Sequence, residues 1–327
     1  MPSATHTAIK NARALAGIFV FVAILLQGCA APQTQQLRAE PSSGLPAQIE
    51  LRDVPYFAQQ AYQCGPAALA MVLGAEGIAV QPEQLEPQLF IPGKHGSLQI
   101  ELQAATRRQG LLAYTPPPQL HALLAEVAAG RPTVVLQNLA LNWYPMWHYA
   151  VVVGYDIERG EMILRSGPER RQIVSMSVFE RTWKRGGSWA LVALPPHQLP
   201  ASQDEARYLD AAIALEQTRQ LVPARAAYAA AGQRWPDSLA ALMGRGNTAY
   251  ALGDLVDAET AFREATQKHP QASAAFNNLA DTLLQQHKLV GALGAARRAV
   301  ELDGGRREVF AQTLRDIEAA IARAATD

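Results

Sequence analysis

Apolar positions follow two different rules on either side of about residue 200 in this 327-residue chain. Upstream, short apolar runs of varying period are punctuated by Gly and Pro. Residues 64–73 form a continuous apolar, Ala-rich run, with Pro66 just inside its start and Gly74 and Gly77 beyond its end. That pattern predicts a buried helix beginning at Cys64. Pro82 opens a short helical turn. A further helix is predicted over 98–108, with Leu98, Leu102 and Ala105 on one face, Ser97 as its N-cap and Gly110 past its end. Next come a short strand at 111–114, a helix at 119–129 closed by Gly130 and a β-branched strand at 132–137. A Val-rich strand opens at His148 and is joined to another at 162–164 by a hairpin turn over 156–160. A helix at 178–183 and a last strand at 189–194 follow. Helices first and a run of strands afterwards point to an α+β domain over 49–199, not a doubly wound parallel sheet.

After a linker at 200–204 the strands disappear, Ala dominates and a period of 34 residues emerges. Pro236 and Pro270 are 34 apart, and Gly304 lies 34 further on. At that spacing Ala212, Gly246 and Ala280 coincide, as do Ala224, Ala258 and Ala292. So do Tyr228, Phe262 and Ala296, and again Ala231, Ala265 and Ala299. Small residues recurring where two helices approach, beside a large apolar residue that fills the gap, look like three tetratricopeptide repeats over about 205–304. A final helix to about residue 325 would cap the open end of this all-α domain. The resemblance implies a concave groove for a peptide or protein partner.

The start of the chain differs again. Lys10 and Arg13 precede an unbroken apolar run at 14–26, followed by Gln27, Gly28 and Cys29. A basic start, a short apolar core and small residues at the break mark residues 1–28 as a secretory signal peptide. The core is too short for a comfortable membrane span. Leu26-Gln-Gly-Cys29 resembles a bacterial lipobox, which implies cleavage before Cys29 and attachment to the membrane by lipid alone. No Asp follows Cys29; by resemblance to sorted lipoproteins this implies the outer membrane, facing the periplasm. Residues 29–48, rich in Gln, Pro and Ser, read as a flexible tether.

Candidate chemistry gathers at Cys64. A thiol at a helix N-terminus has free N–H groups and the positive end of the dipole beside it, which favour thiolate, the nucleophilic form. If Cys29 is lipidated, Cys64 is a lone thiol in an exported chain, because no third Cys exists. His148, heading an apolar strand, is the matching base. The segment from Gln59 to Cys64-Gly-Pro, the lead-in Val54-Pro-Tyr-Phe57 and a His opening a Val-rich strand resemble papain-like cysteine peptidases of the bacteriocin-processing (double-glycine) type, over about 49–196. The resemblance implies Cys64 as nucleophile, His148 as general base, and Gln59 as an oxyanion-hole donor with the Cys64 N–H. Gln60 is the rival for that role. The family's Asp, which orients the imidazole, is missing: Ser166 or Gly167 occupies its place. Ser166 is the candidate orienting residue, and Asp156 and Asn142 are other substitutes. Trp143, Tyr144 and Trp147 either line the cleft or pack within their loop, and His95 reads as an exposed loop residue.

Charge and composition narrow the function. Lys plus Arg and Asp plus Glu are 29 each, so no basic excess points to nucleic acid. No Gly-rich phosphate loop, paired Cys or His at metal-ligand spacing, or Ser nucleophile elbow occurs in the sequence, so neither a cofactor nor a metal is expected. Exporters that share the peptidase fold carry an ATP-binding module, and this chain is not expected to be a transporter. The expectation is a membrane-anchored cysteine peptidase whose repeats recruit substrate or partner. The alternatives are an inactive peptidase-fold scaffold acting through its repeats, or acyl chemistry on a non-protein substrate.

Overall fold

The structure, a computed structural model, describes residues 31–40, 44–59, 63–91, 93, 96–302 and 307–325. The signal peptide, Cys29, Gln60, His95 and Gly304 lie outside the described residues. The N-terminal domain is built on an antiparallel seven-stranded sheet. In chain order the strands are β1 (Gln48–Glu50), β2 (Leu112–Tyr114), β3 (Thr133–Asn138), β4 (Trp147–Asp156), β5 (Glu161–Ser166), β6 (Glu169–Ser175) and β7 (Ala190–Leu194). They lie in the order β2-β7-β3-β4-β5-β6, with β1 pairing the far end of β4.

Both faces of the sheet are covered, which is why its central strands read as unbroken apolar runs. On one face, Val134, Leu136, Tyr149, Val151 and Val153 pack against α2 (Cys64–Ala75), α3 (Pro82–Leu89) and α4 (Gln99–Arg108). On the other, Val135, Ala150, Val152 and Leu164 meet α5 (Leu120–Ala128) and α6 (Met176–Arg185). The α2 run carries no amphipathic period because it is buried on almost every side, from Gly65 to Leu73.

Two segments depart from the sequence reading. Residues 32–39 are not a flexible tether: they form α1 (Pro32–Ala39), docked against α5 and α6. Leu37 enters the core. The buried carboxylate of Glu180 accepts from Gln33 N (3.1 Å), Thr34 N (2.7 Å) and Thr34 Oγ1 (2.7 Å). Hydrogen bonds to a residue 146 positions away leave no apolar period to read. β6 was also unanticipated; it is a polar edge strand whose Glu169, Arg170 and Arg171 face solvent.

The C-terminal domain is a helical stack: α7 (Glu205–Gln217), α8 (Leu221–Arg234), α9 (Leu239–Ala251), α10 (Leu255–Lys268), α11 (Ser273–Gln285), α12 (Leu289–Leu302) and α13 (Arg307–Ala324). The small residues aligned at the 34-residue period are buried, and Tyr228 and Phe262 fill the gaps between helices. A Cβ added at Gly246 would lie 2.4 Å from the Phe262 ring, so glycine is what lets α9 and α10 close up. The stack does not hang from its linker. Tyr208, Leu209, Ala212 and Tyr228 share one core with Leu112, Tyr114, Val192 and Leu194 of the sheet edge. The Glu126 carboxylate, buried and paired with Arg131 (2.7 Å), accepts from Ala201 N (2.8 Å) and fixes the connecting segment.

Gly246→Val is expected to destabilise the protein by about 1–3 kcal/mol through overpacking against Phe262. Gly294→Ala, in open space on the exposed face of α12, is expected to stabilise it by up to about 1 kcal/mol. Urea midpoints moving the same way in both variants would contradict this reading of the stack.

Candidate active site

Cys64 is the first residue of α2, a helix whose N-cap, Gln63, makes no side-chain cap, so the N–H groups of the first turn stay free for the thiol. Gly65 follows because α4 begins against it: an added Cβ would meet Ser97 Oγ at 2.5 Å. Ser97 is therefore not the N-cap of α4. Leu98 holds that position, and the Ser97 hydroxyl is buried beside the start of α2 with no hydrogen-bond partner among the described residues.

Cys64 packs against β4 at Tyr149, the residue after His148. The N–H groups of Tyr149, Gly65 and Cys64 itself all act on the thiol, yet burial outweighs them and pushes its pKa up. The helix N-terminus alone thus does not set the resting state, as the sequence reading supposed; desolvation does. Burial also pushes the His148 pKa down. Both shifts favour the uncharged forms, a neutral thiol and a neutral imidazole, and among the described residues no hydrogen bond joins the two.

His148 Nε2 lies 2.9 Å from Ser166 Oγ. With the hydroxyl accepting from Nε2–H, Nδ1 carries the lone pair that can take a proton. Ser166 stands at the end of β5, where the register with β6 shifts, and it brings no charge. Asp156 is at the other end of β4, accepting from Arg159 N (2.9 Å), and Asn142 is exposed on the β3–β4 hairpin. Neither orients the imidazole.

Gln59 has a different set of bonds from the one the resemblance implies. Its Nε2 donates to Tyr149 O (3.1 Å) and its Oε1 accepts from Gly167 N (2.9 Å). Its backbone N–H donates to Gly167 O (3.0 Å). One amide proton is thus engaged, and the side chain ties β4 to the end of β5. Tyr149 went unread in the sequence. Its N–H faces the thiol, its carbonyl holds Gln59, its hydroxyl donates to Ser97 O (3.2 Å) and its ring meets Trp189 edge-on. The only sequence signal for it is its place immediately after the His. Trp143, Tyr144 and Trp147 are exposed, and within the loop the Trp143 and Tyr144 rings meet at a tilt, 6.3 Å between centroids. No group of His, Cys, Asp and Glu among the described residues is arranged to hold a metal.

Residues 51–190 match the family model described as the Peptidase_C39 like family, and residues 209–271 and 246–306 match the tetratricopeptide repeat model. This protein joins a C39-like peptidase domain to tetratricopeptide repeats. A solved structure of a putative C39-like peptidase from Bacillus anthracis is similar to the C39-like part at 20% identity, covering 45% of this chain and 97% of that one with a TM-score of 0.38. The repeats are similar to the Sgt2 TPR domain from Aspergillus fumigatus (19% identity, 38% and 83% covered, TM-score 0.36). They are also similar to the first TPR of Spaghetti (RPAP3) bound to an HSP90 peptide (18% identity, 37% and 95% covered, TM-score 0.35). No curated protein matches the chain.

Alkylation of Cys64 in the C39-like domain by iodoacetamide is expected to be slow at neutral pH. It should climb only above the ordinary thiol pKa of about 8.5, since burial raises the folded value. A rate already at its plateau near pH 7 would contradict the neutral-pair resting state. The lowered imidazole pKa has a matching consequence: its share of stability is held above the ordinary value of about 6.5 and is lost as pH falls through the folded value.

Proposed function

We propose that this protein is a cysteine peptidase tied to the bacterial cell envelope by lipid on Cys29, in the outer membrane and facing the periplasm, with repeats that recruit a substrate or partner protein. The observation that carries the catalytic reading lies at the sheet end: Cys64 at a helix start meets Tyr149, the residue that follows His148, whose Nε2 lies 2.9 Å from Ser166 Oγ. As substrate enters, His148 Nδ1 takes the thiol proton while sulfur attacks the peptide carbonyl carbon. The carbonyl oxygen gathers charge against the Cys64 N–H and the remaining N–H of the Gln59 amide. The C–N bond breaks, the leaving amine takes the proton from His148, and water then hydrolyses the thioester and restores the thiol.

Ser166 makes this a slow machine. An imidazolium forming in a buried site needs a carboxylate beside it, and a hydroxyl offers only a dipole. The same observation supports the second reading, a peptidase-fold scaffold acting through its repeats. The match of residues 209–306 to tetratricopeptide repeats supports capture of a peptide or protein partner as the role of this domain.

Incubation with an unbiased peptide mixture, read by mass spectrometry, tests the peptidase. Cleavage is expected, lost in Cys64→Ala and faster by about tenfold or more in Ser166→Asp, where a carboxylate meets His148. The acid limb of kcat/KM should lie below about 6.5 in the wild type, because His148 is depressed, and should move up in Ser166→Asp. No cleavage and no trapped acyl-enzyme in either the wild type or Ser166→Asp would sink the peptidase and leave the scaffold.

A further inference from the structure

The hairpin between β3 and β4, residues 139–147, reads Leu-Ala-Leu-Asn-Trp-Tyr-Pro-Met-Trp and carries no charge. Leu139, Leu141, Trp143, Tyr144, Met146 and Trp147 are between 46% and 81% exposed. Its backbone is well held. Leu139 N donates to Met146 O (2.9 Å), Tyr144 N donates to Leu141 O (3.1 Å), and the buried Asn138 Oδ1 accepts from Ala140 N (3.1 Å) and Met146 N (3.0 Å). Exposed apolar area forgoes about 25 cal/mol per Å² that burial would return, so folding by itself gives no reason to hold six such side chains in water.

The entry point of the chain identifies what covers them. At the start of α1, Gln33 and Thr34 bond Glu180 of α6, and Gln33 Oε1 accepts from Leu120 N (2.6 Å) at the start of α5. At the other end of α1, Arg38 donates to Glu158 O (3.1 Å) in the β4–β5 turn, the end of β4 away from the hairpin. α6 runs on from Glu180 to Arg185, whose guanidinium donates to Asn138 O (3.2 Å) at the hairpin root. α1 therefore runs away from the hairpin, and its start is the end that faces the hairpin root, with the rest of α6 from Glu180 to Arg185 between them. Cys29 precedes Ala31 by two residues, at most about 7 Å of chain. Lys184 and Arg185, in the last turn of α6, place positive charge beside the same root, which suits anionic headgroups.

We propose that this hairpin is a membrane-docking element whose apolar side chains enter the interfacial layer of an anionic bilayer, holding the mouth at Cys64 and His148 against the lipid surface. The proposal rests on the lipid-anchor reading above. Trp and Tyr are the side chains best suited to that layer, because each presents an apolar body and a polar tip. His148 directly follows Trp147, so the site then meets substrate segments lying at the membrane surface rather than free in the bulk.

The test is fluorescence of the full chain reconstituted into phosphatidylethanolamine–phosphatidylglycerol vesicles with and without brominated acyl chains. Two of the five Trp lie on the hairpin, and Trp183 is fully buried and serves as an internal control. Brominated lipid is expected to quench the wild type, and Trp143→Ser with Trp147→Ser is expected to abolish the quenching while flotation with vesicles persists. Emission of the wild type should also shift to the blue on vesicles, a readout that needs no variant. A chain that floats but shows no quenching difference from the double variant overturns the docking and keeps the anchor. A chain that does not float overturns both. Quenching relieved by an apolar peptide that leaves flotation intact would overturn the membrane assignment and make the hairpin a substrate lip.

Discussion

The site depends on a clamp made by one glutamine. Gln59 lies on no helix or strand, yet its amide joins the Tyr149 carbonyl to the Gly167 N–H, and its own N–H reaches the Gly167 carbonyl. These bonds hold together the ends of β4 and β5, where His148 and Ser166 must meet. They also present the Tyr149 N–H to the start of α2, where the thiol sits. β4 and β5 pair no further than Val151 and Arg165, so without that clamp their ends would be free to part and the imidazole would lose its place along with its partner.

Desolvation then decides the chemistry. The same packing that makes the geometry firm pushes the thiol up and the imidazole down, so the site rests uncharged. A carboxylate at the position of Ser166 would offset that by stabilising the imidazolium; a hydroxyl does so weakly. On the peptidase reading proposed above, the charge separation would have to be created by the bound substrate.

The repeats are structurally continuous with the C39-like domain. One core runs from β2 and β7 into α7 and α8, and the buried Glu126 fixes the segment between them. The helical stack therefore presents its surfaces in a set relation to the sheet, and a partner held by the repeats lies in a defined direction from the cleft. α1 adds a similar constraint at the other boundary. By docking on Glu180 it makes eight residues of an expected tether part of the domain and shortens whatever reach the N-terminal segment has.

Local pattern was enough for much of this. The 34-residue period specified the helical repeats because each close approach between helices demands a small residue at the same place in every unit, and the run from Cys64 to Leu73 specified its helix because a buried helix needs apolar residues all round. The place of Cys64 at a helix start and of His148 at a strand start was legible for the same reason: each is marked by its own neighbours. What the sequence could not carry was any feature made by residues far apart. The clamp of Gln59 on Gly167, the capture of α1 by Glu180 and the Ser97 hydroxyl against Gly65 each join positions far apart in the chain, by as much as 147 residues. Their polar side chains have no period to announce them. The protonation state of the site was beyond the sequence too, because burial is a property of the packed whole, and here it overrides the helix terminus that the sequence does show.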